Sequence, residues 1–238
     1  MITLTIDDQQ VRVEDGRTIL EAAREHGIHI PTLCYHEALR PFAACRMCVV
    51  ELANRRGGPL VPACTYPCEE GLVVHTNSER VRRSRRMTVE LLMASAAHVP
   101  LIRAMAEELG VGEPRFTMEQ DDCILCGLCV RACHEIVGVG AISVINRGIN
   151  KKVSPPFHIA SNVCIGCGTC VLVCPTGAIT LADITGGRQT EHQWASDFQA
   201  VNCRICGNHH PDSQFADHSV LLAEAKAVLN AGVGEVNP

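Results

Sequence analysis

Aromatic residues are scarce in this sequence, and it lacks a hydrophobic run long enough to cross a membrane. Phe, Trp and Tyr together make up 3% of the 238 residues, so ring packing supplies little of any core. The longest uncharged stretch near the middle of the chain, residues 91–102, contains His98 and Pro100. It is far shorter than the roughly 20 apolar residues that a membrane-spanning helix needs. We therefore expect no direct membrane insertion.

Nucleotide-binding glycine motifs and a basic excess are also lacking. Neither G-x-G-x-x-G nor G-x-x-x-x-G-K-[ST] occurs, which places any flavin or NAD in other chains. The formal net charge is −5, whereas nucleic-acid sites normally carry a large basic excess. We expect no nucleic-acid partner, and we assign no catalytic residue.

The N-terminus lacks the features of a secretion signal. Residues 1–8 contain no basic segment and no long apolar stretch, whereas a signal peptide has both. Disulfides are typical of secreted proteins. We therefore expect the cysteines of this chain to be reduced thiols and the compartment to be the cytoplasm.

What the sequence has in excess is cysteine, with fifteen residues. Eight of them form two copies of the spacing C-x2-C-x2-C-x3-C, which is the bacterial ferredoxin run. Thiolates select iron–sulfur clusters, zinc or copper(I), and two such runs favour two [4Fe–4S] clusters over two structural zinc sites. The first copy is Cys123, Cys126, Cys129 and Cys133, and the second is Cys164, Cys167, Cys170 and Cys174.

The fourth cysteine of each run is expected to ligate the cluster of the other run, as in two-cluster ferredoxins. This crossing assigns Cys123, Cys126, Cys129 and Cys174 to cluster one, and Cys164, Cys167, Cys170 and Cys133 to cluster two. Pro175 follows the second run in the usual place, whereas His134 follows the first. Either His134 tunes cluster two or it is a solvated loop residue.

A third quartet lies upstream with the spacing C-x10-C-x2-C-x15-C. Its first interval is longer than the C-x4-C of plant-type ferredoxins, but the remaining spacing fits a [2Fe–2S] cluster. The four residues are Cys34, Cys45, Cys48 and Cys64. Cys68 follows shortly afterwards and is expected to be an unliganded thiol packed near that cluster.

The pattern of residues 1–78 predicts a β-grasp ferredoxin domain. Period-two alternation over residues 2–6 and again over 11–13 predicts a hairpin. Thr18 with Glu21 is a capping-box signature for a helix over 19–26, which Gly27 would end. Two further strands are predicted at 48–52 and 72–75, with a glycine-containing turn at 54–58 between them.

Three further segments complete a predicted α+β organisation. Residues 79–117 form a helical connector, with Ser78 as an N-cap and Pro100 opening a second helix. Residues 118–182 form the two-[4Fe–4S] ferredoxin domain, in which strands follow the cysteine runs at 141–145 and 178–181. Residues 183–238 form a C-terminal extension with a helix at about 220–229, suited to internal packing or to docking.

Five arginines crowd the start of the connector. They are Arg80, Arg82, Arg83, Arg85 and Arg86. Cations are unfavourable at the positive end of a helix dipole, so the cluster indicates either an acidic partner subunit or a solvated face balanced by Glu79 and Glu90.

The C-terminal extension contains a pair of cysteines with imidazoles nearby, at Cys203, Cys206, His209 and His210. Two thiolates and one or two histidines suit a tetrahedral zinc site. Cys68 or His192 are alternative ligands for that zinc. Instead of binding zinc, Cys203 and Cys206 could ligate a further iron–sulfur cluster or be unliganded.

The residues around the first quartet resemble a known family. Ile30-Pro-Thr-Leu-Cys-Tyr-His36 and Ala44-Cys-Arg-Met-Cys-Val-Val-Glu51, together with the two ferredoxin runs, resemble the iron–sulfur diaphorase subunit of NAD-linked bidirectional [NiFe]-hydrogenases. The N-terminal part of the largest peripheral-arm subunit of complex I is similar. The resemblance covers about residues 1–182 and implies an electron-transfer subunit between a flavin/NAD(P)H-binding subunit and a hydrogenase or Mo/W catalytic subunit such as formate dehydrogenase.

One departure from that family concerns the connector. Relatives usually carry a His-plus-three-Cys site for another [4Fe–4S] cluster there, and His98 lies near the expected histidine. However, no cysteine occurs between Cys68 and Cys123. If the connector binds no cluster, electrons take a shorter route through this subunit, or another subunit bridges the gap.

Two alternative functions are a freestanding polyferredoxin that shuttles electrons and a scaffold whose iron–sulfur clusters are structural.

Overall fold

The chain divides into two compact units. The computed structural model describes residues 1–155 and 163–180; the first unit is Met1–Cys126 and the second begins at Gly127. No helix among the described residues is long and apolar enough to cross a membrane. The predicted domain boundaries after residues 78, 117 and 182 remain predictions, and the predicted C-terminal extension lies outside the described residues.

A five-stranded mixed sheet forms the start of the first unit. The strands are β1 (Ile2–Ile6), β2 (Gln9–Val13), β3 (Val49–Leu52), β4 (Leu60–Pro62) and β5 (Val73–His75), in the order β2-β1-β5-β3-β4. Only the β1–β5 pair in this sheet is parallel. With one helix packed on the sheet, the fold is the predicted α+β β-grasp arrangement.

The predicted N-terminal hairpin is confirmed. Asp7 and Asp8 join β1 to β2 with φ angles of 46° and 67°, and two successive positive φ angles match the twist of a tight hairpin. The sequence pattern missed β4. This strand has three residues and ends in Pro62, and proline is tolerated there because β4 is an edge strand.

The predicted capping box also forms. Helix α1 (Ile19–Glu25) begins after Thr18, whose hydroxyl accepts the amide of Glu21 while the Glu21 carboxylate accepts the amide of Thr18. His26 is the C-cap rather than the last helical residue, and Gly27 follows with φ 72°. The apolar face of α1 packs on the sheet, with Ile19 and Leu20 fully buried.

The connector is a pair of helices, as predicted. Helix α2 (Glu79–Ala96) begins after Ser78, whose hydroxyl accepts the amide of Val81, and α3 (Pro100–Glu108) has proline at its first position. The two helices pack on each other. Their shared core includes Leu33 and Met47 from the β-grasp region, so the connector is packed onto the loops that carry the first cysteines.

The second unit is built from short elements. In chain order they are α4 (Leu128–Arg131), a π-helix (Ala132–Val137), β6 (Ser143–Ile145), a 3₁₀ helix (Gly148–Asn150), β7 (Lys152–Ser154) and α5 (Thr169–Leu172). Strand β6 pairs with β7, a strand that the sequence analysis did not predict. The predicted strand at 178–181 was wrong for 178–180, which are not in a strand, and Leu181 lies outside the described residues. Pairing β6 with the nearby β7 closes a short loop at low entropic cost.

The two ferredoxin runs differ in the residue that follows the fourth cysteine. Cys133 is followed by His134, and the chain continues from α4 into the π-helix. Cys174 is followed by Pro175, and α5 has already ended at Leu172. A proline has no amide to donate and disfavours a helical residue before it. His134 is exposed, as the solvated reading expected, but it lies in a helix rather than a loop.

Glu51 joins the sheet to the start of α2. Its side chain accepts hydrogen bonds from the Ser78 hydroxyl at 2.5 Å and from Arg80 Nη1 at 2.8 Å. The Ser78 hydrogen bond and the Arg80 charge lower the pKa of Glu51. A depressed carboxyl pKa contributes stability above the ordinary glutamate pKa, and this contribution is lost as the pH falls through the lowered value.

We expect Glu51→Gln to reduce the free energy of unfolding at neutral pH by about 1 kcal/mol, since the bonds to the carboxylate are charge-assisted but partly solvated. The difference from the parent chain should shrink as the pH falls below the pKa of Glu51. Anaerobic urea denaturation over a pH series measures it. Glu14→Gln, at an exposed residue, is the control, and a difference that does not depend on pH would contradict the assignment.

Candidate iron–sulfur centres

The β-grasp sheet brings the first four cysteines together. Cys34 and Cys45 lie on the long loop between α1 and β3, Cys48 directly precedes β3, and Cys64 follows β4. The antiparallel register of β3 and β4 continues to Cys48 and Ala63, the residue before Cys64, because the amide of Ala63 donates to the Cys48 carbonyl at 3.0 Å. Cys34, Cys48 and Cys64 are buried, and Cys45 is half-buried.

The four thiols form two hydrogen-bonded pairs. The hydrogen bond between Cys34 and Cys45 is the main cause that lowers the pKa of Cys45, and the bond between Cys48 and Cys64 is the main cause that lowers the pKa of Cys48. The same bonds, with burial, raise the pKa of Cys34 and of Cys64. Two pairs of soft donors fit a [2Fe–2S] cluster, in which each iron takes two thiolates.

Backbone amides are directed at these sulfurs. The Cys45 amide donates to Cys34 Sγ at 3.4 Å, the Met47 amide donates to the sulfur of Cys45, and the Cys64 amide donates to the sulfur of Cys48. Amide hydrogen bonds stabilise thiolate charge and tune the potential of a bound cluster. The assignment of these four cysteines as cluster ligands stays a prediction, and these amides are the donors that would support it.

Cys68 has a different environment. Its side chain is 4% exposed within the β-grasp core, and its amide donates to the Arg17 carbonyl at 2.8 Å. Burial raises the pKa of the Cys68 thiol to about 11. Apart from burial, the groups that raise this pKa are Glu21 and Glu25 rather than the cysteines of the quartet, which agrees with the expectation that Cys68 is unliganded.

We expect Cys64→Ala to remove the [2Fe–2S] signal, because it deletes one of the four donors. Cys68→Ala should retain it, because it removes only a small buried thiol. Electron paramagnetic resonance of the reduced proteins, with iron analysis, measures both. Loss of the signal in Cys68→Ala together with its retention in Cys64→Ala would instead show that Cys68 is the ligand and Cys64 the unliganded thiol.

In the second unit, four cysteines line one small pocket. They are Cys133, Cys164, Cys167 and Cys170, the set that the crossing rule predicts for cluster two. Cys133 lies in the π-helix and Cys170 in α5, and the other two lie on the loop before α5. Burial is the main cause that raises the pKa of Cys133, Cys164 and Cys170. Binding to iron would therefore release protons from these thiols.

Cys133 is held by a tight turn that follows the π-helix. Its carbonyl accepts the amides of Gly138, Val139 and Gly140 at 3.0 to 3.3 Å, and its sulfur accepts the amide of Ala141 at 3.3 Å. π-helical turns are rare and are common at functional sites. Here the wider turn and the amides after it surround a predicted ligand, a feature that no sequence signal indicated.

Glycines and hydroxyls complete the loops around the second run. Gly166 and Gly168 have φ angles of 64° and 68°, a region that side chains rarely adopt, so the chain turns sharply between cysteines. Thr169 Oγ1 lies 3.3 Å from Cys167 Sγ, and Thr176 Oγ1 lies 3.6 Å from Cys174 Sγ. Both threonines are two residues after a cysteine and were missed because hydroxyls in that position carry no specific sequence signal.

The ligand set of cluster one remains a prediction. Cys123 and Cys126 end the first unit, whereas Cys129 and Cys174 belong to the second. The amide of Cys123 donates to the Asp121 carboxylate at 2.8 Å. The predicted site at Cys203, Cys206, His209 and His210 lies outside the described residues.

His98, which lies near the usual position of a cluster-binding histidine, makes other contacts. Its Nδ1 lies 3.0 Å from Gln120 Oε1, and its Nε2 lies 2.5 Å from Asp122 Oδ1. The Asp122 contact is the main cause that raises the pKa of His98. The amide of Asp121 donates to the Ser95 carbonyl at 3.0 Å, so the segment before Cys123 is attached to the end of α2.

The arginines of α2 serve the first unit itself. Arg80 pairs with Glu51 and Arg82 with Glu79, and Arg86 donates to the Gly110 carbonyl at 3.2 Å. Arg85 is buried, and Arg83 is exposed. These contacts lie within the first unit, and a contact between the arginines and an acidic partner subunit stays a prediction.

The sheet, the helical pair and the two cysteine sites define an iron–sulfur protein, and comparisons with protein families agree. Residues 1–79 match a 2Fe-2S iron-sulfur cluster binding domain. Residues 120–138 and 158–180 each match a 4Fe-4S binding domain. One [2Fe–2S] domain and two [4Fe–4S] domains are thus present, as predicted.

Proteins similar to this chain indicate which kind of iron–sulfur protein it is. The NADP-reducing hydrogenase subunit HndD of Solidesulfovibrio fructosivorans is 38% identical over 75% of this chain and 36% of its own length. The G 2 subunit of NADH-quinone oxidoreductase from Rhizobium meliloti is 36% identical over 75% of this chain and 24% of its own length. A crystal structure of an NAD+-reducing [NiFe]-hydrogenase in the H2-reduced state contains a chain with 32% identity and a TM-score of 0.56, covering 65% of this chain and 75% of that one.

The chain belongs to the family of iron–sulfur subunits found in NAD-linked [NiFe]-hydrogenases, to which the N-terminal part of the largest peripheral-arm subunit of complex I is related. It spans about a third of the hydrogenase subunit HndD and about a quarter of the quinone oxidoreductase subunit.

Proposed function

We propose that this chain is the electron-relay subunit of a cytoplasmic multisubunit oxidoreductase. It passes single electrons between a flavin/NAD(P)H-binding subunit and a second catalytic subunit. The observation that carries the proposal is the assembly of Cys34, Cys45, Cys48 and Cys64 into two thiol pairs in a chain similar to subunits of NAD(P)-linked enzymes. Bound clusters would supply one-electron chemistry.

The residues proposed to hold the clusters are twelve cysteines. They are Cys34, Cys45, Cys48 and Cys64 for [2Fe–2S]; Cys123, Cys126, Cys129 and Cys174 for cluster one; and Cys133, Cys164, Cys167 and Cys170 for cluster two. The protein's own contribution is to exclude water from the buried thiols and to direct amide donors at them. Both effects set the potential at which an electron enters and leaves.

The second catalytic subunit is proposed to be a hydrogenase, with a molybdenum or tungsten enzyme such as formate dehydrogenase as the other candidate. The hydrogenase is favoured because two of the similar proteins are parts of NAD(P)-linked hydrogenases. The chain would receive its electrons from, or deliver them to, a subunit that binds the nucleotide.

We expect Cys48→Ala, introduced into the purified complex, to abolish electron transfer from NAD(P)H to the second active site. Each half-reaction should persist with an artificial electron carrier, since neither active site is altered. Steady-state assays of the overall reaction and of both half-reactions measure this. Cys68→Ala is the matched control and should leave all three rates unchanged.

Overall turnover retained in Cys48→Ala would defeat the relay assignment. Purification separates the remaining alternatives, because a freestanding polyferredoxin shuttle stays monomeric, whereas a relay subunit co-purifies with a flavoprotein. A structural scaffold would co-purify with partners but show no change in cluster redox state during turnover.

For the C-terminal extension we propose a zinc site at Cys203, Cys206, His209 and His210, because two thiolates with nearby imidazoles suit tetrahedral zinc. Anaerobic metal and acid-labile sulfide analysis tests it. About ten irons and one zinc per chain would support three clusters and a zinc site. About fourteen irons without zinc would make the cysteine pair part of a fourth cluster.

A further inference from the structure

Arg85 is a buried cation beside the first cysteine quartet. Its side chain extends from α2 and is 6% exposed. Nε donates to the Met47 carbonyl at 3.0 Å, and Nη2 donates to the Val49 carbonyl at 2.9 Å. These two carbonyls flank Cys48 in the chain, so the guanidinium spans the backbone on either side of a proposed cluster ligand.

The end of β5 explains why one of these carbonyls needs Arg85. Strand β5 pairs with β3 at Glu51 and Leu52 and ends at His75. Val49 lies two residues before Glu51 and so faces the same edge of β3, beyond the last residue of β5. A buried carbonyl without a donor is costly. Arg85 supplies that donor from the helix.

The other carbonyl belongs to the peptide that joins Met47 to Cys48. This carbonyl accepts the hydrogen bond from Arg85 Nε. Because a peptide group is planar, the bond holds the orientation of the peptide that leads into Cys48.

The positive charge of Arg85 is not cancelled by a close carboxylate. Among residues 1–126, the ion pairs within 4.0 Å do not include Arg85. Its electrostatic interactions are with Cys48 first, and then with Glu108 and Asp7. A buried charge acts through a low local dielectric and is screened little by salt.

We propose that Arg85 raises the reduction potential of the [2Fe–2S] centre at Cys34, Cys45, Cys48 and Cys64. An added electron gives the centre one more negative charge, and a buried cation near Cys48 stabilises that charge. This inference rests on the proposed [2Fe–2S] site. It assigns Arg85 a role in the relay, whereas the sequence had placed it in a surface cluster with its four neighbours.

The test is redox potentiometry of the full chain, purified anaerobically and followed by the electron paramagnetic resonance signal of the reduced [2Fe–2S] centre. Arg85→Gln removes the charge but keeps a donor for the Met47 carbonyl. We expect its potential to fall by at least about 59 mV, which corresponds to a tenfold change in the one-electron equilibrium. Arg85→Lys keeps the charge, and we expect its reduction potential to fall by less than half as much.

Two further variants keep the result decisive. Arg83→Gln removes an exposed charge from the same helix and should leave the potential unchanged, since solvent screens it. Arg85→Met is a second variant that removes the charge. The reduction potential is measured on whichever of Arg85→Gln and Arg85→Met retains the [2Fe–2S] centre.

An unchanged potential in the charge-removing variants would overturn the inference. Equal falls in Arg85→Lys and Arg85→Gln would also overturn it, because the charge would then not be the cause. Failure of the proposed site itself is distinguishable, since the parent chain would then show no [2Fe–2S] signal.

Discussion

Buried thiolate charge is the constraint on which the rest of this structure depends. An uncompensated charge in the interior is expensive, and the proposed centres bring several sulfurs together away from water. The first unit meets this cost with the amides of Cys45, Met47 and Cys64 and with the guanidinium of Arg85. The loops around Cys34 and Cys45 are therefore fixed by polar contacts as much as by apolar packing.

The two units reach similar donor arrangements from different backbones. In the first, the paired ends of β3 and β4 place Cys48 opposite Ala63, the residue before Cys64. In the second, a π-helix and the turn after it surround Cys133, with the Ala141 amide on its sulfur. A wide helical turn displaces residues from the regular ladder and frees amides to point elsewhere. Cysteine spacing selects the cluster type, while the surrounding backbone decides how each sulfur is solvated.

Spacing and local signals predicted much of the fold because they act over a few residues. The capping box at Thr18, the turn glycine at Gly27 and the start of α2 after Ser78 all depend on neighbours in the chain, and all were found. The burial of Arg85 depends on contacts between distant segments, since its partners Met47 and Val49 lie more than 30 residues away in the chain. Nothing in the local sequence distinguishes Arg85 from the four other arginines at the start of α2. The sequence analysis therefore did not predict that Arg85 is buried.

The helical pair has a structural reason to persist without a cluster of its own. Relatives are expected to bind a [4Fe–4S] cluster in this region, yet here α2 and α3 form a core with Leu33 and Met47, which adjoin Cys34 and Cys48. The same core is contacted by Cys45. Removing the helices would expose the [2Fe–2S] loop to water and take away Arg85. The packing of the helical pair against this loop therefore does not require a cluster in the connector.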